Sequence, residues 1–369
     1  MKKVYRWDRH FLNENLKKLV NLNASSKSSE EEKILINDSI EVYLDMIWKM
    51  DNIQDDENDF YDDNDVLEDE YLESFFRMMS SYEKNSKFLL NGQTLNIIKS
   101  LAELKYLPQA QFKKLNISEE GRINSAKNFY KSLDLEIYEK LLKIEDKNPS
   151  FYHFTESLDN YGYCYVDQYN NLPYIIMQNS QSIIDLYVLV HEIAHAIDFT
   201  NNIITTETDV IVEEAIPTAL EMILTSNYEN KKELTLDAKI LSSVNFNDII
   251  TLARRANLQA DLFDVLKKDK IKTMEGLYRR FPNLKQNHLE QLLFAPYIDS
   301  IQRIYSNLIA TELFSQYKHN QKEGLKNLKT VLLRDKRKST EYLYGNIDIN
   351  LKTLNTNSFL EKQKELLLN

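Results

Sequence analysis

The chain is poor in cysteine, glycine and proline, and it has no long apolar run. Its single cysteine, Cys164, excludes an intramolecular disulfide and a cysteine-based zinc site. With only 6 glycines and 6 prolines in 369 residues, the tight turns of an all-β fold are hard to supply, so a mainly α fold is expected. No stretch reaches the roughly 18 apolar residues of a membrane-spanning helix, so no membrane partner is expected. No apolar run follows Met1-Lys2-Lys3-Val4-Tyr5-Arg6-Trp7-Asp8, so no signal peptide is read and a cytoplasmic location is expected. Positive charge is also in deficit, with 46 Lys and Arg against 57 Asp and Glu and a net charge of −11. A phosphate backbone would be repelled, which argues against nucleic acid as a partner. Nothing in the composition fixes an oligomeric state.

Hydrophobic residues make up 43% of the chain, enough for a large core. Ser28 with Glu31, and Ser29 with Glu32, have the spacing of a capping box before a helix that carries Ile36, Ile40, Tyr43, Ile47 and Met50. Residues 51–73 are strongly acidic; they lack the glycine and terminal glutamate of a calcium loop and read as a solvated surface. A helix with Phe75, Met79 and Tyr82 on one face follows, then another over about 93–105. Pro108 marks a boundary, dividing an N-terminal helical lobe (1–110) from a catalytic domain (111–369). Residues 118–145 read as one long amphipathic helix. Tyr163-Cys164-Tyr165-Val166 and Leu172-Pro173-Tyr174-Ile175-Ile176-Met177, separated by Asn170-Asn171, read as a hairpin, with Pro173 at the start of an edge strand. From 182 onward the pattern is helical again.

The segment that carries chemistry is Leu189-Val190-His191-Glu192-Ile193-Ala194-His195-Ala196. Residues four apart share a helical face, so His191 and His195 can present imidazole nitrogens to one ion, with Glu192 beside them to act on a metal-bound water. Ser182 can cap this helix, with Asp185 three residues on. The helix is apolar on nearly every side, and burying two imidazoles and a carboxylate without partners would cost several kcal/mol, on the order of the penalty for any unpaired buried polar group. A single metal ion would satisfy all three, and one zinc ion per chain is expected. Asp198 and Asn201 stand where metzincins carry glycine and histidine, so the third ligand is sought on the next helix. Glu213 and Glu214 open it. Ile211, Ala215, Ala219 and Ile223 form its apolar stripe, and Glu214 shares a face with Glu221. Glu214 is read as the ligand and Glu221 as a carboxylate that orients a histidine, while Asp198 is read as either an orienting partner or a solvated charge.

These residues resemble the thimet oligopeptidase and oligoendopeptidase F family of zinc peptidases. The resemblance runs over roughly 115–355. It includes Gly162-Tyr163 to Asn179 as the strand region, Asp185 to Ala196 as the metal helix, Glu214-Ala215-Ile216-Pro217-Thr218-Ala219-Leu220-Glu221 as the third-ligand helix, Tyr305 to Ala310 as the tyrosine-rich helix, and Leu343 to Leu351 as the terminal segment. It implies two helical lobes flanking a cleft, with a small hairpin or sheet beside the metal helix, and hydrolysis of short unfolded peptides. It also implies a tyrosine that stabilises the oxyanion, with Tyr305 the first choice and Tyr297 the second. The sequence departs from the pattern in places. Only 18 residues separate His195 from Glu214, fewer than is usual; the Gly-x-Met-Glu-Asn signature of aminopeptidases is absent; and Ala295 or Pro296 stands where the family has a histidine, with His288 upstream. Two other readings stay open: a relative that binds peptides without turnover, and a peptidase dedicated to one protein or signalling peptide.

Overall fold

The computed structural model describes residues 7–23, 29–52, 69–85, 90–108, 117–156, 161–199, 210–229, 235–282, 292–333 and 359–361. Most of the acidic 51–73 segment, His288 and the 343–351 segment lie outside them. The described chain is mainly helical around one small sheet. Helices α1 (Arg9–Asn23) and α2 (Glu30–Asn52) are followed by α3 (Asp69–Asn85), α4 (Gly92–Ala102), α5 (Glu119–Leu133) and α6 (Leu135–Lys147). Strands β1 (Tyr152–Thr155), β2 (Gly162–Asp167) and β3 (Leu172–Gln178) precede α7 (Ile184–Phe199), α8 (Val210–Glu229), α9 (Thr235–Asp269) and α10 (Met274–Arg280). Helices α11 (Tyr297–His319) and α12 (Gln321–Leu332) come last. Among the described residues no helix is long and apolar enough to cross a membrane.

The chain divides into two compact units, each assembled from three stretches. The first takes 1–58, 110–241 and 310–349, and the second 59–109, 242–309 and 350–369. The second unit buries Phe75 and Met79 of α3, Ile97 and Leu101 of α4, Ile250 and Ala253 of α9 and Ile304 of α11. The first unit holds the sheet and the metal helix.

The expected single helix over 118–145 is two. Asp134 ends α5, its N–H reaching the Tyr130 carbonyl, and begins α6, its carboxylate accepting from the N–H groups of Glu136 and Ile137. The apolar period runs on across this break, through Phe129, Tyr130, Ile137 and Leu141, which is why the pattern reads as continuous. A carboxylate that satisfies two free N–H groups at a helix start outweighs that continuity locally.

The hairpin is present, with Gly162 opposite Met177 and Asp167 opposite Leu172. Asn171 takes the left-handed conformation in its turn (φ 53°), and Asn170 donates to both oxygens of Asp167. The order of strands is β1-β3-β2, so β3 is central and the edge position expected for Pro173 is corrected. Pro173 is tolerated because the parallel ladder with β1 begins only at Ile175, whose partner is Tyr152. One face of the sheet, through Tyr174 and Ile176, packs with Trp7, which precedes α1, and with Leu12, Leu19, Ile36, Tyr43 and Met46 of the N-terminal helices. There Tyr43 donates to buried Asp167 at 2.7 Å and meets the Tyr174 hydroxyl at 2.8 Å. Residues of opposite parity on β3 face the other way, toward α7.

Candidate metal centre

Helix α7 is seated before it starts. Gln181 holds a left-handed backbone (φ 54°) that a glutamine adopts only under constraint. Asp185, in the first turn, supplies it by accepting from the Gln181 N–H at 3.0 Å, the Ser180 N–H at 3.2 Å and the Ser180 hydroxyl. Ser182 accepts from the Ile184 N–H at 3.3 Å, so the serine cap is used, while Asp185 reaches back past it to Ser180 and Gln181. Nearly the whole helix is then buried, including Glu192, His195 and Asp198. Burial of Asp198, only 3% exposed, removes its reading as a solvated charge.

His191 and His195 stand on one face, their Nε2 atoms 3.0 Å apart. From α8, Glu214 brings one carboxylate oxygen to 3.4 Å from His191 Nε2 and the other to 3.8 Å from His195 Nε2. These three side chains form a group that could hold one metal ion, their ligand atoms all within 4.8 Å of one another. A tetrahedral zinc with arms of ~2.0–2.1 Å has ligand-to-ligand edges of ~3.3–3.4 Å, the same scale as these separations. The donor chemistry fits as well: two imidazoles, one carboxylate and no thiolate. Glu221, seven residues beyond Glu214, lies 2.9 Å from His191 Nδ1. A proton on Nδ1 held by that carboxylate leaves the Nε2 lone pair pointing to the shared centre.

Electrostatics lead to the same place. Burial alone makes His191 harder to protonate, but Glu221 and Glu214 outweigh it and raise its pKa well above the usual imidazole value. Glu192 is pushed up to about 7 by burial, with Glu214 and Glu221 adding to the effect and His191 opposing it. A carboxylate in that range can both take and return a proton near neutral pH.

Close approach of the sheet shapes this pocket of charge. Gly162 begins β2, and a Cβ there would sit 2.5 Å from Val188 Cγ1 and 3.3 Å from Glu192 Cγ. Only glycine lets β2 lie against α7 beside Glu192. Gly162→Ala is therefore expected to cost about 1–3 kcal/mol of stability through overpacking, and an unchanged melting temperature would show that strand and helix can separate freely.

No family model matches the chain, and no curated protein matches it. Solved structures do. PZ peptidase A, solved with an inhibitor, superimposes with a TM-score of 0.52 at 12% identity, covering 98% of this chain and 67% of that one. An oligoendopeptidase F gives a TM-score of 0.50 at 11% identity, with 97% and 66% covered. The chain has the oligoendopeptidase fold. A peptidase from Chlamydophila abortus matches at a TM-score of 0.49 and 13% identity, with 97% of this chain against 61% of that one. The chain thus spans about three fifths to two thirds of the length of these proteins.

Within this oligoendopeptidase fold, the five residues singled out by sequence fall in two places. His191, Glu192, His195 and Glu214 come together in the first unit, and Glu213, the neighbouring candidate, is outside the group that could hold an ion. Tyr305 belongs to the second unit, where it is buried and its hydroxyl meets Thr94 Oγ1 at 2.9 Å. Tyr297 is buried in the same unit. Two residues that sequence reasoning passed over, Arg122 and Tyr130 of α5, make direct contacts with the metal helix. Their only sequence signal is an arginine and a tyrosine eight apart on a helix, too common to single out.

Proposed function

We propose that the chain is a zinc metallopeptidase that hydrolyses peptide bonds in short, unfolded peptides. The observation that carries this reading is the convergence of His191, His195 and Glu214 on one centre with Glu192 beside it. Bound zinc would supply a Lewis acid that polarises the peptide carbonyl and lowers the pKa of water toward ~7. His191, His195 and Glu214 would hold the ion, and Glu221 would keep His191 in the tautomer that can bind it. Glu192 takes the proton from the attacking water and delivers it to the leaving amine. Strand β2 lies at the edge of the sheet order, and an extended peptide can add to such an edge through main-chain hydrogen bonds, which gives affinity with little sequence selectivity. Tyr305 is assigned the donor to the oxyanion on family resemblance.

The deciding experiment is metal analysis of the purified chain with a quenched oligopeptide assay before and after chelation. About one zinc per chain is expected, on the three-ligand rule for catalytic sites, with cleavage lost on chelation and restored by zinc. Cleavage that survives full removal of metal would overturn the proposal, and efficient digestion of folded globular proteins would overturn its substrate class.

A further inference from the structure

We infer that α5, which offers no ligand, is the brace that positions the metal helix, with Arg122 and Tyr130 as its two positioning residues. The inference rests on the metal reading above and extends it to the second layer of structure behind the ligands.

Arg122 acts at the start of α7. It is 4% exposed, and its guanidinium donates through Nη1 to Asp185 Oδ2 and through Nη2 to Asn179 Oδ1 at 2.7 Å. Asp185 is the same carboxylate that holds the left-handed Gln181, so the arginine locks the loop and the first turn together. Tyr130 acts one residue before the first ligand. Its hydroxyl, fully buried, donates to the Val190 carbonyl at 2.6 Å. Between the two, Ala126 is wholly buried and small, which lets the helices approach. Burial drives the Tyr130 pKa well above its ordinary value, and the charge of Glu221 adds to this, so the hydroxyl stays protonated and within electrostatic reach of the carboxylate that holds His191. Tyr130 therefore supports the backbone that carries that ring.

A purely structural tyrosine would satisfy its own hydroxyl and affect stability alone. A positioning tyrosine affects the aim of His191, so it registers in zinc affinity and turnover. Tyr130→Phe keeps the ring and deletes the donor. Against a chromogenic chelator, its zinc Kd is expected to rise about 3- to 10-fold, below the roughly 10- to 100-fold seen when a direct orienting partner is lost. The kcat should fall by a similar factor while KM stays near the wild-type value. Tyr174→Phe is the control. It removes a buried hydroxyl of the same kind on the opposite face of the sheet, and should lower the melting temperature without changing zinc affinity. Arg122→Lys, which keeps the charge but loses the forked contact, should weaken zinc in the same direction, and it decides the matter if Tyr130→Phe does not fold. Wild-type zinc affinity in Tyr130→Phe, or equal loss in Tyr174→Phe, would overturn the brace while leaving the metal centre intact. A wild-type chain that takes up no zinc would overturn the metal reading itself.

Discussion

Glutamine at position 192 is expected to leave zinc bound and to cut peptide cleavage by about 10²–10⁴-fold, the usual worth of a positioned general base. Glu192 donates no ligand atom to the group formed by His191, His195 and Glu214, so its amide analogue has no reason to disturb the ion. Its proposed role is to carry the proton. Burial raises its pKa to about 7, with Glu214 and Glu221 adding and His191 opposing, and a bound zinc would pull it lower. The sign follows directly. The base is competent only when deprotonated, so kcat/KM of the wild type should fall as pH drops through an acid limb at or below 7, and the residual rate of Glu192→Gln should lack that limb. Tyr305→Phe in the same assay should lose about 10²–10³-fold in kcat if the hydroxyl stabilises the oxyanion. Cleavage by Glu192→Gln at the wild-type rate would remove the assigned base.

The second large effect concerns the choice between adjacent glutamates. Glu214→Ala should lose zinc by more than the roughly 10–100-fold that an outer partner commands, whereas Glu213→Ala should keep it. Both residues open α8 and both carry the same charge, so net electrostatics changes equally in the two variants. What differs is that Glu214 faces both imidazoles and Glu213 is not part of that group. Equilibrium dialysis with zinc would measure the pair side by side. The reverse order of affinities would transfer the ligand role to Glu213.

The parts of the site that sequence made legible are those governed by short-range periodicity. His191 and His195 are one helical turn apart, and Glu214 and Glu221 are two turns apart, so their shared faces follow from helix geometry alone. The parts it concealed depend on distant partners. Strand β1 has only four residues, Tyr152-His153-Phe154-Thr155, all of them buried, so it shows no alternation to mark it as a strand. The central place of β3 depends on that missed strand. The break at Asp134 hides inside an unbroken apolar period. Arg122 meets Asp185 across 63 positions and Tyr130 meets Val190 across 60, separations over which residue spacing carries no information. Each of the two units is assembled from three stretches of chain, a grouping that residue spacing does not display.

Candidate ligands and base all come from one pair of adjacent helices, α7 and α8, and the stretch between them is only residues 200–209. The entropy of bringing two points of a chain together grows with the logarithm of their separation, so doubling it costs only about 0.6 kcal/mol. The short interval from His195 to Glu214 is therefore compatible with full ligand geometry. What holds the candidate ligands together is the packing of α7 against α8 rather than the length of chain between them.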